Sequence, residues 1–165
     1  MESKRHTEGD RVKICKGTGL TTFFYSNGQK EGEGHFTRDY EEQGHWTFWN
    51  ENGQKRSEGQ YKDGMEVGHW TRWHVNGQKF CEGGYKGTRK VGSILFALQD
   101  GHWTYWYENG QKKEEGKYKN DEKVGHWISW DENGKSCQTR NSSSKIAPTG
   151  CLIWIVGLFG IGFLF

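Results

Sequence analysis

The sequence predicts an all-β protein, an elongated single-layer antiparallel ladder of β-hairpins, with a hydrophobic C-terminal segment that reads as a helix. Three observations predict it. Five Asn-Gly pairs recur, at Asn27-Gly28, Asn52-Gly53, Asn76-Gly77, Asn109-Gly110 and Asn133-Gly134, and four of them continue as Gln-Lys. A second glycine, Gly19, Gly44, Gly68, Gly101 or Gly125, stands nine residues before the glycine of each pair. The unit between reads G-H-W-T-x-W-x-x-N-G-Q-K and returns through E-G-x-Y-K. Self-similarity at a short fixed period is the mark of a repeat architecture.

The hairpin follows from the chemistry of Asn-Gly, which accepts positive φ at little cost when strands flank it. His45-Trp46-Thr47-Phe48-Trp49 is aromatic and β-branched, and Gln60-Tyr61-Lys62 lies on the return. The unit holds two short strands, a tight turn and a looser connection near Asp63-Gly64. A two-residue loop at Asn52-Gly53 would put Trp46, Gly59 and Tyr61 on one face. A three-residue loop, with Gly53 in a left-handed bulge, would put Trp49, Gly59 and Tyr61 together instead. Asn50 at the first turn position and glycine at the fourth suit a type I turn, and so favour the second register. That register predicts a structural aromatic column of Phe24, Trp49, Trp73, Trp106 and Trp130 packed with Phe36, Tyr61, Tyr85 and Tyr118. The turn residues are Gly28, Gly53, Gly77, Gly110 and Gly134. The remaining column, Trp46, Trp70, Trp103 and Trp127, becomes a candidate binding stripe. The position at 23, 48, 72, 105 and 129 reads Phe, Phe, Arg, Tyr and Ser, a spread expected where burial is partial.

Unit glycines are separated by 25, 24, 33 and 24 residues. The long interval places an insertion at 92–100, read as a longer loop or extra turn. Domain organisation follows: a polar leader at 1–18, five hairpin repeats over 19–137, a polar linker at 138–149 and a hydrophobic tail at 150–165. Counted from Ile146 the tail makes a helix of ~30 Å, about one hydrocarbon core. It is approached by Lys135, Arg140 and Lys145 with no acid after Glu132. This suits a C-terminal membrane anchor with a cytoplasmic flank. A frame-shifted or read-through end is the competing reading. The first residues carry no apolar run of the signal-peptide kind, which places the repeats in the cytoplasm.

The 165 residues are 32% hydrophobic and 27% charged with a net charge of +2, so no concentrated basic footprint for nucleic acid is evident. Cys15, Cys81, Cys137 and Cys151 have no Cys-x-x-Cys spacing, and the first three lie whole units apart, beyond reach of a bridge. His45, His69, His102 and His126 share one unit position. Equivalent residues of adjacent hairpins are roughly 10 Å apart, too far to share a metal. No nucleophile and base pair stands out, and no cofactor is implied.

The segment Gly44-His-Trp-Thr-Phe-Trp-Asn-Glu-Asn-Gly53, followed by Glu58-Gly-Gln-Tyr61-Lys-Asp-Gly64 and Gly68, resembles the MORN repeat. It is closest to the variant with Trp-x-x-Trp and Asn-Gly-Gln-Lys found in arrays assigned as antitoxins of toxin–antitoxin systems. The resemblance covers roughly residues 19–137. Thr21 replaces tryptophan in the first unit, and the fifth lacks the Glu-Gly-x-Tyr return. The resemblance implies a non-enzymatic scaffold for protein–protein interaction. Association with membrane phospholipid and an antitoxin or immunity role are the alternatives.

Overall fold

The structure, a computed structural model, describes residues 4–8, 11–15, 19–92 and 94–141, with side chains over 19–92 and 94–136. The described residues are all-β. Twelve strands form one open antiparallel sheet in chain order. They are β1 Lys4–Glu8, β2 Arg11–Cys15, β3 Leu20–Phe24, β4 Lys30–Phe36, β5 Glu42–Trp49, β6 Lys55–Lys62, β7 Met65–Trp73, β8 Lys79–Val91, β9 Ile94–Trp106, β10 Lys112–Lys119, β11 Glu122–Trp130 and β12 Ser136–Asn141. At ~4.8 Å between strands the ladder runs roughly 50 Å.

Residues expected as a polar leader carry β1 and β2, and β12 runs into the expected linker. The expected insertion is not a loop. β8 and β9 extend through it, paired from Thr88↔Ala97 to Val91↔Ile94. The connection at Asp63-Gly64 is tighter than expected, a two-residue turn with φ of 52° and 71°. The hydrophobic tail at 150–165, expected as a helix, lies outside the described residues.

The Asn-Gly turn forms as expected. In the second unit the Gly53 amide donates to the Asn50 carbonyl at 2.9 Å, and the Asn50 amide donates to the Gln54 carbonyl at 2.8 Å. Gly53 sits at φ 80°. The face assignment nevertheless reverses. Trp49 pairs with Lys55 but Phe48 pairs with Ser57, so Arg56 is an extra residue in β6. The same extra residue is Glu31, Phe80 or Lys113 in the other hairpins. One bulged residue shifts the pairing by one, which exchanges the faces. Trp46 thus lies opposite Gly59, and Gly44 opposite Tyr61.

The predicted structural column is corrected accordingly. Trp49, Trp73, Trp106 and Trp130 are only half-buried and lie on the face opposite Tyr61, Tyr85 and Tyr118. The predicted binding stripe is the core. Trp46, Trp70 and Trp103 are 1% exposed and Trp127 is 5% exposed. They are buried because each indole lies flat on a glycine of the preceding hairpin. A Cβ placed on Gly34, Gly59, Gly83 or Gly116 would come within 2.1–2.3 Å of the ring of Trp46, Trp70, Trp103 or Trp127. A second irregularity seats the ring. Three residues, such as Gly68 to Trp70, face the single Gly59, and Gly68 takes φ 66°. Each indole Nε1 then donates to a carbonyl of that preceding strand at 3.1 Å: His35, Gln60, Gly84 and Lys117 in turn.

Rings from the preceding hairpin close one edge of each indole. Phe36, Tyr61, Tyr85 and Tyr118 meet Trp46, Trp70, Trp103 and Trp127 edge-on at 4.9–5.2 Å. The variable position supplies the cover. Phe48 stacks on Trp46 at 5.5 Å, Tyr105 on Trp103 at 5.9 Å, and the Arg72 guanidinium lies over Trp70 at 5.3 Å. The side chains at this position therefore lie on the core face, and their spread reflects several ways of covering an indole.

Large-to-small aromatic substitutions in a core cost about 3–5 kcal/mol. Trp103→Ala should lower the urea midpoint far more than Trp106→Ala, and Gly83→Ala should approach the effect of Trp103→Ala. Equal losses for Trp103→Ala and Trp106→Ala would show that the core does not lie in the first column.

Candidate interaction surface

The Asn-Gly-Gln-Lys tetrad builds one rim of the ladder, and each residue has a separate task. The asparagine carboxamide crosses to the next turn: Asn27 donates to the Glu51 carbonyl at 3.0 Å, Asn52 to Val75 at 3.0 Å, Asn76 to Glu108 at 2.7 Å and Asn109 to Glu132 at 2.8 Å. Its Oδ1 accepts from the glutamine amide two residues on, as in Asn52 from Gln54 at 3.0 Å. The glutamine side chain packs on the glycine of the next turn. The Oε1 atoms of Gln29, Gln54, Gln78 and Gln111 lie 2.8–3.2 Å from where a Cβ would stand on Gly53, Gly77, Gly110 and Gly134. Turn glycine is required here both for its positive φ and for this approach. At the start of two of the turns, the Tyr25 and Tyr107 hydroxyls donate to the Trp49 and Trp130 carbonyls at 2.8 and 3.0 Å.

The lysine reaches the face that carries the half-buried tryptophans. Lys30, Lys55, Lys79 and Lys112 each lie over the tryptophan of the next unit, Trp49, Trp73, Trp106 and Trp130, at 5.4–5.7 Å from the ring centroid. Each is also paired with the glutamate three residues on: Glu33 at 2.8 Å, Glu58 at 2.5 Å, Glu82 at 2.6 Å and Glu115 at 2.7 Å. Half-exposed pairs of this kind contribute under ~1 kcal/mol each, but they hold the lysine stem on the ring. The result is a four-step Glu–Lys–Trp column along the ladder. His45, His69, His102 and His126 form an exposed row beside it. A shallow depression of about 370 Å³ on this face is lined by His102, Glu115, Lys117, Val124, His126 and Ile128.

The core face carries its own polar set, irregular from unit to unit. Arg72 Nη2 donates to both carboxylate oxygens of Glu66 at 2.7 and 2.8 Å, and Nη1 donates to the Tyr85 hydroxyl at 3.1 Å. One unit on, Gln99 donates to the Tyr105 hydroxyl at 3.1 Å. In the last unit Lys123 pairs with Glu114 at 2.6 Å and lies 4.0 Å over Trp127. Burial, the largest cause in each case, pushes the Tyr61, Tyr85 and Tyr105 hydroxyls and the Cys81 thiol above their usual range. Cys81 is a buried free thiol, 3% exposed.

Among the described residues no three His, Cys, Asp or Glu side chains gather as a metal site. No helix among them is long and apolar enough to cross a membrane.

A ladder of hairpins with one tryptophan buried between each pair, and a second left half-open on the reverse side, defines an open-faced repeat module. A family model described as the MORN repeat variant matches residues 18–37, 42–63 and 99–120, and these three matches support a MORN-repeat protein. The unmatched third unit has the same tryptophan-on-glycine contact, Trp70 on Gly59. No curated protein matches the sequence. Among solved structures, the chain is similar to one in the crystal structure of the GtfA/B complex bound to UDP and GlcNAc, at 14% identity and a TM-score of 0.27. That match covers 85% of this chain and 24% of the other, and at such a score it carries no argument.

The raised tyrosine and thiol groups make a pH prediction. Their neutral forms are favoured in the fold, so stability is full below the ordinary values of 9.0 and 10.0 and falls as pH rises past them. The melting temperature should be level from about pH 7 to about pH 9 and fall steadily above about pH 10. A level profile to about pH 11 would contradict the burial of these hydroxyls.

Proposed function

We propose that this chain is a non-enzymatic scaffold that binds a protein partner through the Glu–Lys–Trp column. The observation that carries the reading is the second tryptophan. Trp49, Trp73, Trp106 and Trp130 recur in four units, yet the core is built from the other column. Each keeps part of its ring open beside an amine held by a carboxylate. Half-open tryptophans in a fixed frame are the side chains that most often anchor protein interfaces. Charge distinguishes between partners. Each lysine of the column has its own glutamate, so the column itself is amphipathic and close to neutral. That suits a protein surface better than an anionic bilayer, whose attraction needs uncompensated basic groups. General protein-binding or membrane-binding use of MORN repeats is consistent with a scaffold role. An antitoxin or immunity role is a narrower form of the same reading, supported by the Trp-x-x-Trp and Asn-Gly-Gln-Lys variant of the motif. In this reading the repeats work in the cytoplasm, and the apolar run at 151–165 serves as a C-terminal membrane anchor.

The test uses the full chain and Trp73→Ala/Trp106→Ala. Partners captured by the wild type are identified and their affinities remeasured with purified components. The variant should keep its fold by circular dichroism and lose about 30-fold or more in affinity, the scale of an interface tryptophan. An unchanged affinity would remove the column from the binding surface.

A further inference from the structure

We propose that the β8–β9 hairpin is a membrane-docking prong whose tip enters the interfacial layer of an anionic bilayer. This surface is separate from the Glu–Lys–Trp column, so either proposal can fail without the other.

The first observation is reach. Two other return hairpins close directly after their tyrosine and lysine, through Asp63-Gly64 and Asn120-Asp121, and the first closes through residues 37–41. β8 and β9 instead continue past Tyr85 and Lys86, through Thr88↔Ala97, Arg89↔Phe96, Lys90↔Leu95 and Val91↔Ile94. Four or five additional residues per strand carry the tip roughly 13–16 Å beyond its neighbours.

The second is composition. Val91, Ile94, Leu95 and Phe96 at the tip are 55, 59, 50 and 44% exposed. Lys90 and Arg89 stand directly across from Leu95 and Phe96, and Lys86 stands nearer the base; all three are exposed. No acidic residue occurs between Glu82 and Asp100. Arg89 reaches Asp121 of the adjacent turn at 4.0 Å, which ties the flank of the prong to the next hairpin. An apolar end with a basic collar complements a bilayer whose surface is anionic and whose interior is apolar.

The third is the distribution of apolar groups over both faces of the hairpin. Val91↔Ile94 and Arg89↔Phe96 share one face, and Lys90↔Leu95 lies on the other. A flat protein surface would cover one face and leave the other in water. End-on entry into a lipid interface covers both.

The experiment places an environment-sensitive fluorophore on Leu95→Cys in the full chain, with Cys15, Cys137 and Cys151 changed to serine. Buried Cys81 is left in place. The same label on Lys135→Cys serves as the off-tip comparison. Vesicles of phosphatidylcholine alone and of phosphatidylcholine with phosphatidylserine are added. The Leu95→Cys label should shift to the blue only with the anionic vesicles, and the Lys135→Cys label should not. Lys86→Ala and Lys90→Ala should each weaken this partition about fivefold. Phe96→Asp should weaken it about tenfold or more. The apolar run at 151–165 is common to all variants, so binding by that run alone leaves the Leu95→Cys signal unmoved and overturns the proposal. A blue shift without vesicles that grows with protein concentration would assign the tip to a second copy of the chain and overturn it equally. A shift of the same size with both vesicle types would remove the role of the basic collar.

Discussion

The fold depends on one contact repeated four times: an indole laid on the bare backbone of a glycine in the preceding hairpin. Trp46 on Gly34, Trp70 on Gly59, Trp103 on Gly83 and Trp127 on Gly116 are the same arrangement. Each replaces what a two-layer protein obtains from a second sheet or a helix. An indole can bury roughly 150–250 Å². A glycine lets it approach closely enough to exclude water from one face, and the Nε1–carbonyl bond satisfies its single polar atom. Because the glycine belongs to one unit and the indole to the next, the contact couples neighbours, as nearest-neighbour stabilisation in repeat proteins requires.

The rest of the unit serves this contact. The glycine that opens each unit takes a left-handed conformation, so three residues can face one and swing the indole onto its platform. The edge-on Phe or Tyr ring and the covering residue at 48, 72 or 105 enclose what the glycine does not. Phenylalanine, tyrosine and arginine are interchangeable there because each can lie flat on an indole. Arginine needs more support than the others, and it receives it from Glu66 and Tyr85. The second tryptophan of the unit is released from core duty. It sits under a lysine that is itself held by a glutamate. The two sides of the sheet therefore differ in kind. One is an aromatic core with a varied polar cover, and the other is a regular amphipathic column.

The departure from regularity falls where the period does. Nine residues added between Gly92 and Asp100 lengthen two strands rather than making a slack loop, since alternate partners such as Arg89 and Phe96 remain in register. The added stretch carries Ile94, Leu95 and Phe96 as consecutive exposed hydrophobic residues. Val91, Ile94, Leu95 and Phe96 present four exposed hydrophobic side chains together at one point, where Tyr40, Val75 and Phe80 are exposed elsewhere in the ladder.

Much of this was legible in the sequence. The all-β class, the antiparallel ladder and the hairpin turn follow from the spacing of Asn-Gly and of the opening glycines, because positive φ is a local property of the residue. The repeating glycines at 34, 59, 83 and 116 were visible in the return of each unit, but not which ring lies on them. That was decided by a bulge at Glu31, Arg56, Phe80 and Lys113, four unlike residues with no local signature. A β-strand has a side-chain period of two, so one extra residue was enough to exchange the core tryptophans for the surface ones. The tasks of Gln29, Gln54, Gln78 and Gln111 were likewise hidden, since each packs on a glycine about 24 residues away, or 32 across the longer unit. By itself the sequence determined what repeats and where it turns, because those depend on local backbone preference. Only the tertiary structure decided which face is buried, because that depends on register between strands that the chain does not join locally.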